Sequence, residues 1–401
     1  MRRSKPLVVV IGVALVLGVG FAVATVLRSN PVKSNPVTTD ACGSVTEAPT
    51  YKHVVVIVEE NHSYGPIIGS GDAPYIDSLA ASCGTATNYH NVTHFSLPNY
   101  LALTGGLSLS ALAPFYNDCS PTSCAWPGSS IFGQTFAKSY QESMPYNCDT
   151  TASGLYAPKH NPELYFSDAN CSTRDVPFSG GSGGGTSTCP STVKQGASGA
   201  VVRTLQMDLN RWGAKPHLTI NGNFDVPTQM AVDYLKSANG LPADGVASLK
   251  VWAVLGACRS GGTTGLIADF QTQAAAPAFA FVAPNLCNDM HDCSVATGDE
   301  WLKTNLAALL ATPVYKSGNT AVFLTWDEGE PGSAGAACAN NVSDQGCHVA
   351  LLVIAPSVKP GTQVNTPLDH YSLLRTVEQL LGLAYLREAQ TATSMVQAFN
   401  L

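Results

Sequence analysis

Charge is what this sequence has least of. Only 12% of its 401 residues are Asp, Glu, Lys or Arg, and the 21 basic residues are outnumbered by 28 acidic ones, giving a formal net charge of −7. A balance of that sign argues against a broad basic footprint for nucleic acid. It says nothing about fold, because net charge governs solubility and steering. Also missing is any Cys-x-x-Cys pair, which weakens metal binding through sulfur as a reading of the twelve cysteines. Their even number and the near pairs Cys119/Cys124, Cys287/Cys293 and Cys338/Cys347 suit disulfides in an oxidising compartment instead.

The beginning of the chain points the same way. Arg2, Arg3 and Lys5 precede an uninterrupted apolar run from Pro6 to Leu27. Ala22-Val23-Ala24 fits a small-residue cleavage site, so residues 1–30 read as a signal peptide. The run is equally long enough for an uncleaved membrane anchor. Either reading places the rest of the chain outside the cytoplasm, secreted or anchored at the cell envelope. A Pro/Ser/Thr-rich stretch over 31–50 reads as a spacer.

From Tyr51 the composition changes. Tyr51–Val58 is a near-continuous β-branched run, the pattern of a strand buried on both faces. Ala278–Val282, Thr320–Thr325 and Val349–Ala355 repeat it, with helical patterns over Gly298–Leu310 and Tyr371–Leu381. Strands alternating with helices predict an α/β fold with a mostly parallel sheet and helices on both faces.

Two glycine-rich linkers, 179–185 and 260–265, break this rhythm. Between them, residues 189–258 begin and end on cysteines, Cys189 and Cys258, as expected of an inserted domain whose ends a disulfide ties together. The catalytic domain would then be 51–188 with 259–401. Inside the insert, helical spacing over Val201–Asn210, a turn at Asn221–Asp225, a helix capped by Thr228, and a short helix carrying Leu249, Trp252 and Leu255 predict a small three-helix domain. The residues Gly199, Val202, Leu205-Gln206, Leu209, Gly222-Asn223-Phe224, Thr228, Gly240-Leu241, Asp244-Gly245 and Trp252 give this segment a resemblance to the peptidoglycan-binding domain of cell-wall hydrolases. The resemblance implies peptidoglycan as a partner; a spacer or lid is the plainer alternative.

Four polar clusters fall at the carboxyl ends of predicted strands, where open parallel sheets gather their ligands. Glu60 and Asn61 follow the first strand and can offer hard oxygen ligands to a divalent cation. Ser96 stands just ahead of Pro98-Asn99, at or next to a helix N-cap. Its hydroxyl either caps that helix or is a nucleophile beside an anion site. Asp289, His291 and Asp292 share a loop that Cys287 and Cys293 would close. Asp327-Glu328 end another strand, and adjacent carboxylates repel unless a cation or proton lies between them. His348 opens a later strand, and His370 precedes a helix.

Five ordered motifs together resemble the phosphoesterase family that includes bacterial phospholipases C and acid phosphatases, within the alkaline phosphatase-like superfamily. They are Val58–Ser63, Ser96–Gly105, Pro284–Asp292, Thr325–Gly329 and His370–Leu383. The resemblance implies a hydrolase of phosphate esters, possible phospholipids among them. It implies Ser96 as nucleophile and Glu60, Asn61, Asp327 and Glu328 as ligands of a divalent metal. It gives His291, His348 and His370 to a second metal, to the phosphoryl oxygens or to the leaving group, and Asn99, Asp289 and Asp292 to substrate binding. The alternative is a wall-binding or adhesion protein with an inactive catalytic fold.

Overall fold

The β-branched run after Tyr51 becomes β1 (His53–Glu59), whose residues Val54–Val58 are at most 2% exposed. Burial on both faces leaves no polar alternation, which is why the run reads as continuous. The computed structural model describes residues 41–178, 190–212, 214–238, 241–255, 265–338 and 344–401. The N-terminal apolar segment 1–30, the first part of the spacer, the linkers 179–185 and 260–264, and the Cys189–Cys258 pairing lie outside those residues.

The main sheet adds β2 (Gly84–His90), β3 (Ala137–Gln141) and β4 (Asp175–Pro177). Later in the chain come β7 (Phe279–Ala283), β8 (Thr320–Trp326), β9 (His348–Ile354), β10 (Thr362–Val364) and β11 (Leu368–Asp369). Between them residues 190–255 hold β5 (Val193–Lys194) and β6 (Val246–Ala247). The order of the nine-stranded sheet is β10-β2-β9-β8-β1-β7-β3-β4, with β11 beside β2. Among the described residues of this sheet only β9 is antiparallel to its neighbours, and the sheet's other pairings are parallel. The carboxyl ends of β1, β2, β7 and β8 therefore share one edge. The fold is α/β, a mostly parallel sheet flanked by helices, and its core is formed by the strands and by helices such as Ser96–Gly105, buried along its whole length.

The two ends of that helix are held differently. It ends on Gly106 at φ +66°, where a Cβ would meet the Leu386 carbonyl oxygen at 2.6 Å, so both the turn and the close approach require glycine. At its start the N-cap position is Phe95, with no side-chain cap bond. The helix His370–Leu381 starts instead on a capping box between Asp369 and Ser372.

The expected spacer is partly something else. Ala41 and Cys42 are buried, Cys42 is bridged to Cys83, and the Tyr315 hydroxyl donates to the Ala41 carbonyl at 2.6 Å. A cysteine and backbone pairing tie down a stretch whose composition alone suggests a flexible tether. The bridges Cys119–Cys124, Cys287–Cys293 and Cys338–Cys347 form as their spacing suggests, and Cys148–Cys171 joins them.

Residues 190–255 enclose a second core built on Val202, Leu205, Leu209, Phe224, Val232 and Trp252. Helices Ala200–Trp212, Val226–Ala238 and Leu249–Val254 surround it, and the β5–β6 ribbon, absent from the sequence reading, closes it. Buried Gln206 explains the spaced motif: its amide donates to Asn221 Oδ1, the Asn223 carbonyl and Thr228 Oγ1, and its oxygen accepts from the Gly222 N–H. Thr228 does not cap the second helix. Asp225 does, accepting from both the backbone N–H and the hydroxyl of Thr228 at 3.0 and 2.6 Å.

Candidate active site

Glu60 is the first residue after β1 and is fully buried. The Tyr100 hydroxyl donates to its Oε1, and the Ser96 hydroxyl lies 3.1 Å from its Oε2. The same Ser96 oxygen is 3.3 Å from Glu328 Oε1. A hydroxyl has one proton to give. Two carboxylates facing one serine oxygen thus leave a contact that only a further proton or a cation can satisfy. Ser96 is the first residue of its helix and 1% exposed. Its side chain turns to the carboxylates rather than to the helix N–H groups, so the capping alternative does not hold.

Asp327 and Glu328 follow β8. Asp327 Oδ1 accepts the Asn61 N–H at 3.1 Å, while its Oδ2 and Asn61 Oδ1 are buried without partners. Glu328 Oε2 pairs with His94 Nδ1. Gly332 packs on that ring so closely that a Cβ would meet Nδ1 at 2.1 Å. Burial, and then the charge of neighbouring carboxylates, holds Glu60 and Asp327 well above the usual carboxylate range. Burial likewise raises Glu328 and pushes Asp289 up to about 7. Buried acids that repel one another, with orphaned oxygens between them, fit a divalent cation with oxygen ligands. The grouping of His94 with Cys338 and Cys347 does not fit one, because those two sulfurs are bonded to each other.

The other residues expected at the site divide. His291 lines a cavity of about 400 Å³ together with Ser96, Asn61 and Glu328. Its Nδ1 pairs with Asp292 Oδ1 at 2.7 Å, so Asp292 orients it. Asp289 lies deeper, its Oδ2 3.4 Å from His160 Nδ1. Asn99 is not available to a substrate: its oxygen accepts the N–H groups of Val92 and Thr93, and its amide donates to the carbonyls of Thr93 and Phe95. That set fixes the loop leading to Ser96. His370 is committed at both nitrogens, to the Asp327 carbonyl at 2.6 Å and the Tyr89 hydroxyl at 2.9 Å. Burial pulls its pKa down to about 4, so it is a neutral strut. His348 stands outside the cavity lining, stacked on Tyr64 with ring centroids 4.6 Å apart and bonded to the Thr87 carbonyl.

His160, Lys159, Tyr100, Asp118 and His94 escape the sequence reading. His160 is the chief omission. It is 3% exposed, stacks on Tyr100, and holds Nε2 3.3 Å from Glu60 Oε1, without the alignment of a hydrogen bond. Burial and then the charge of Lys159 keep it neutral, its pKa well below the ordinary value. The one signal available was its place between Pro158 and Pro162, which stiffen the turn that carries it.

Comparison with known proteins adds the family. A 340-residue match at 28% identity, covering 84% of this chain and 78% of the relative, is with a phosphatidylinositol-3-phosphatase of Mycobacterium tuberculosis. A shorter match, 33% over 27% of this chain and 24% of the relative, is with a probable acid phosphatase of Kluyveromyces lactis. Among solved structures, an alkaline phosphatase superfamily protein from Vibrio parahaemolyticus aligns over 90% of this chain and 75% of its own, at 12% identity and a TM-score of 0.45. The model of the phosphoesterase family matches residues 70–384, from ahead of β2 to past the C-terminal motif. With most of its length inside that match, the chain belongs to the phosphoesterase family and is a hydrolase of phosphoric ester bonds.

Proposed function

We propose that the enzyme is a divalent-metal-dependent phosphoesterase that works through a phosphoseryl intermediate on Ser96. The observation that carries this reading is the convergence of the Ser96 hydroxyl with Glu60 and Glu328, beside the orphaned oxygens of Asp327 and Asn61. Glu60, Asn61, Asp327 and Glu328 would hold the cation. When bound, it lowers the pKa of the serine hydroxyl and offsets charge on the phosphoryl oxygens. Ser96 Oγ, its proton passed to solvent, bonds to phosphorus as the ester P–O bond breaks. His291, the histidine that lines the cavity, gives the leaving alkoxide its proton. Water then adds at phosphorus and gives a proton to His291, the P–Oγ bond breaks, Ser96 Oγ takes a proton back from solvent, and phosphate leaves. Neutral His160, set between Glu60 and Asp289, positions Glu60, while His370 and Asn99 position their own neighbours. Phe95, 42% exposed on the cavity wall, suits an ester with an apolar or lipid portion. The M. tuberculosis relative, a phosphatidylinositol phosphatase by name, favours the same class.

Hydrolysis of p-nitrophenyl phosphate and p-nitrophenyl phosphorylcholine tests the metal. Activity should fall at least tenfold in chelator and return with one added divalent cation. Full activity in chelator, after dialysis, removes the metal from the reading.

The basic and apolar N-terminus and the disulfides support export to the cell envelope, and the resemblance of residues 193–257 to a peptidoglycan-binding domain supports targeting of the enzyme to the wall. Among the described residues no helix is long and apolar enough to cross a membrane. Cell fractionation of the full chain and of a variant lacking 193–257 checks both ideas. The full chain should accompany the wall and the deletion should lose it while keeping activity on small esters. Equal wall binding by both would discard the targeting role.

A further inference from the structure

We propose that Lys159 binds the phosphoryl group, its ammonium holding a non-bridging oxygen of the substrate, and that Asp118 is the positioning residue that keeps it beside Ser96. The inference rests on the phosphoesterase reading and adds a cation that none of the five motifs contains.

Lys159 lines the same cavity as Ser96 and His291, and among the described residues of that lining it is the one lysine or arginine. The other ionisable groups there are Asp118, Glu328, Glu330 and His291. A phosphate monoester brings up to two negative charges into a place already rich in carboxylates. Glu60, Asn61, Asp327 and Glu328 would hold a cation that offsets the charge from their side of Ser96. Lys159 offers the complement from a separate loop.

Its position is built. Asp118 Oδ2 accepts from Lys159 Nζ at 3.0 Å, and Asp118 Oδ1 accepts the Leu97 N–H, in the first turn of the Ser96 helix, at 3.0 Å. One carboxylate therefore ties the ammonium to the nucleophile's helix. Asp118 takes a positive φ of 50°, which Asp tolerates better than most residues, just before the Cys119–Cys124 bridge. Behind Lys159 the next residue, His160, sits between Glu60 and Asp289, 3.3 and 3.4 Å from their carboxyl oxygens. Burial costs the ammonium some stability, but Glu60 and Asp118 outweigh it and keep Lys159 charged. The pair is part-buried, with side chains 26% and 18% accessible, and both residues line the cavity. Its placement around a nucleophile is better explained by charge that arrives with the substrate.

The test uses the full chain with Lys159→Met, Lys159→Arg and Asp118→Asn. For Lys159→Met, kcat/KM on p-nitrophenyl phosphate should fall on the order of 10²-fold. Calorimetric titration with inorganic phosphate should show affinity reduced about tenfold or more, with the melting temperature near that of wild type. Lys159→Arg should restore most of the phosphate affinity. Asp118→Asn should weaken phosphate binding and raise KM more than it lowers kcat. A folded Lys159→Met that binds phosphate like wild type overturns the proposal, even where Ser96→Ala is dead and the phosphoesterase reading stands. If wild type hydrolyses no phosphate ester, the phosphoesterase reading fails, and the titration still decides whether Lys159 holds phosphate.

Discussion

Ser96→Ala is expected to lower kcat on phosphate esters on the order of 10⁴-fold or more, the scale seen when a nucleophile is removed from a catalytic unit. It should leave the fold within about 1 kcal/mol of wild type. The two halves of the prediction have separate grounds. The serine hydroxyl makes no cap bond, so its loss removes no support from the helix, whose start is held by the Leu97 N–H bond to Asp118 and by Asn99. Glu60 keeps its bond from Tyr100 and Glu328 keeps His94. What disappears is the one oxygen that faces both carboxylates from the cavity wall. A steady-state assay beside a melting curve checks both halves. A well-folded mutant with more than a tenth of wild-type kcat means that Ser96 is not the nucleophile, and a water activated among the same carboxylates would replace it.

The sequence displayed its fold where burial was symmetrical. β1, β7, β8 and β9 lie inside the sheet, so both of their faces are apolar and the runs stand out. Strands β2, β3 and β4 were invisible for the opposite reason. Gly84–His90 carries Thr, Asn and His among its apolar residues, and Ala137–Gln141 buries Ser139 and Gln141 in a polar network instead of in oil. The ribbon of the insert is two residues wide, below any periodic signal.

The site divided on the same principle of locality. Residues adjacent in sequence at a strand end, such as Glu60-Asn61 and Asp327-Glu328, announce themselves because repulsion at that spacing needs an explanation. Groups delivered singly by loops do not. Lys159 and His160 come from a turn between prolines, far in sequence from every motif, and Asp118 from the stretch beyond the Ser96 helix that runs into the Cys119–Cys124 bridge. Conversely, Asn99 and His370 belong to the motifs yet spend all of their hydrogen-bonding capacity on the backbone or on Tyr89. A motif records what the site needs; it does not separate the groups that touch substrate from those that hold them.

The segment that brings Lys159 and His160 to the site should also make the protein more stable at acid pH than at alkaline pH. Glu163, 1% exposed in the turn Pro162–Tyr165, has both carboxyl oxygens without hydrogen-bond partners. Burial, and then the charge of Asp175 against a weaker pull from Arg174, pushes its pKa up from 4.5 to about 9. Asp175, which accepts from the Asn161 amide at 2.9 Å and from the Cys148 N–H at 3.2 Å, is pushed up to about 7 by burial. Between pH 4.5 and 9 the folded chain therefore keeps a proton on Glu163 that the unfolded chain has released. Stability is then greatest below the unfolded value and falls as pH rises toward the folded one. Each pH unit inside that window costs up to about 1.4 kcal/mol for the group. Glu378, raised by burial to about 8, adds a similar slope of its own. Glu163→Gln, which keeps the shape and cannot ionise, should flatten the pH dependence and raise the melting temperature at pH 8 by several degrees, with little change at pH 5. Melting curves from pH 5 to 9 decide the matter, and a mutant slope as steep as wild type would mean that Glu163 ionises without cost. Because His160 sits three residues before Glu163, wild-type activity should fall on the alkaline side earlier than that of Glu163→Gln.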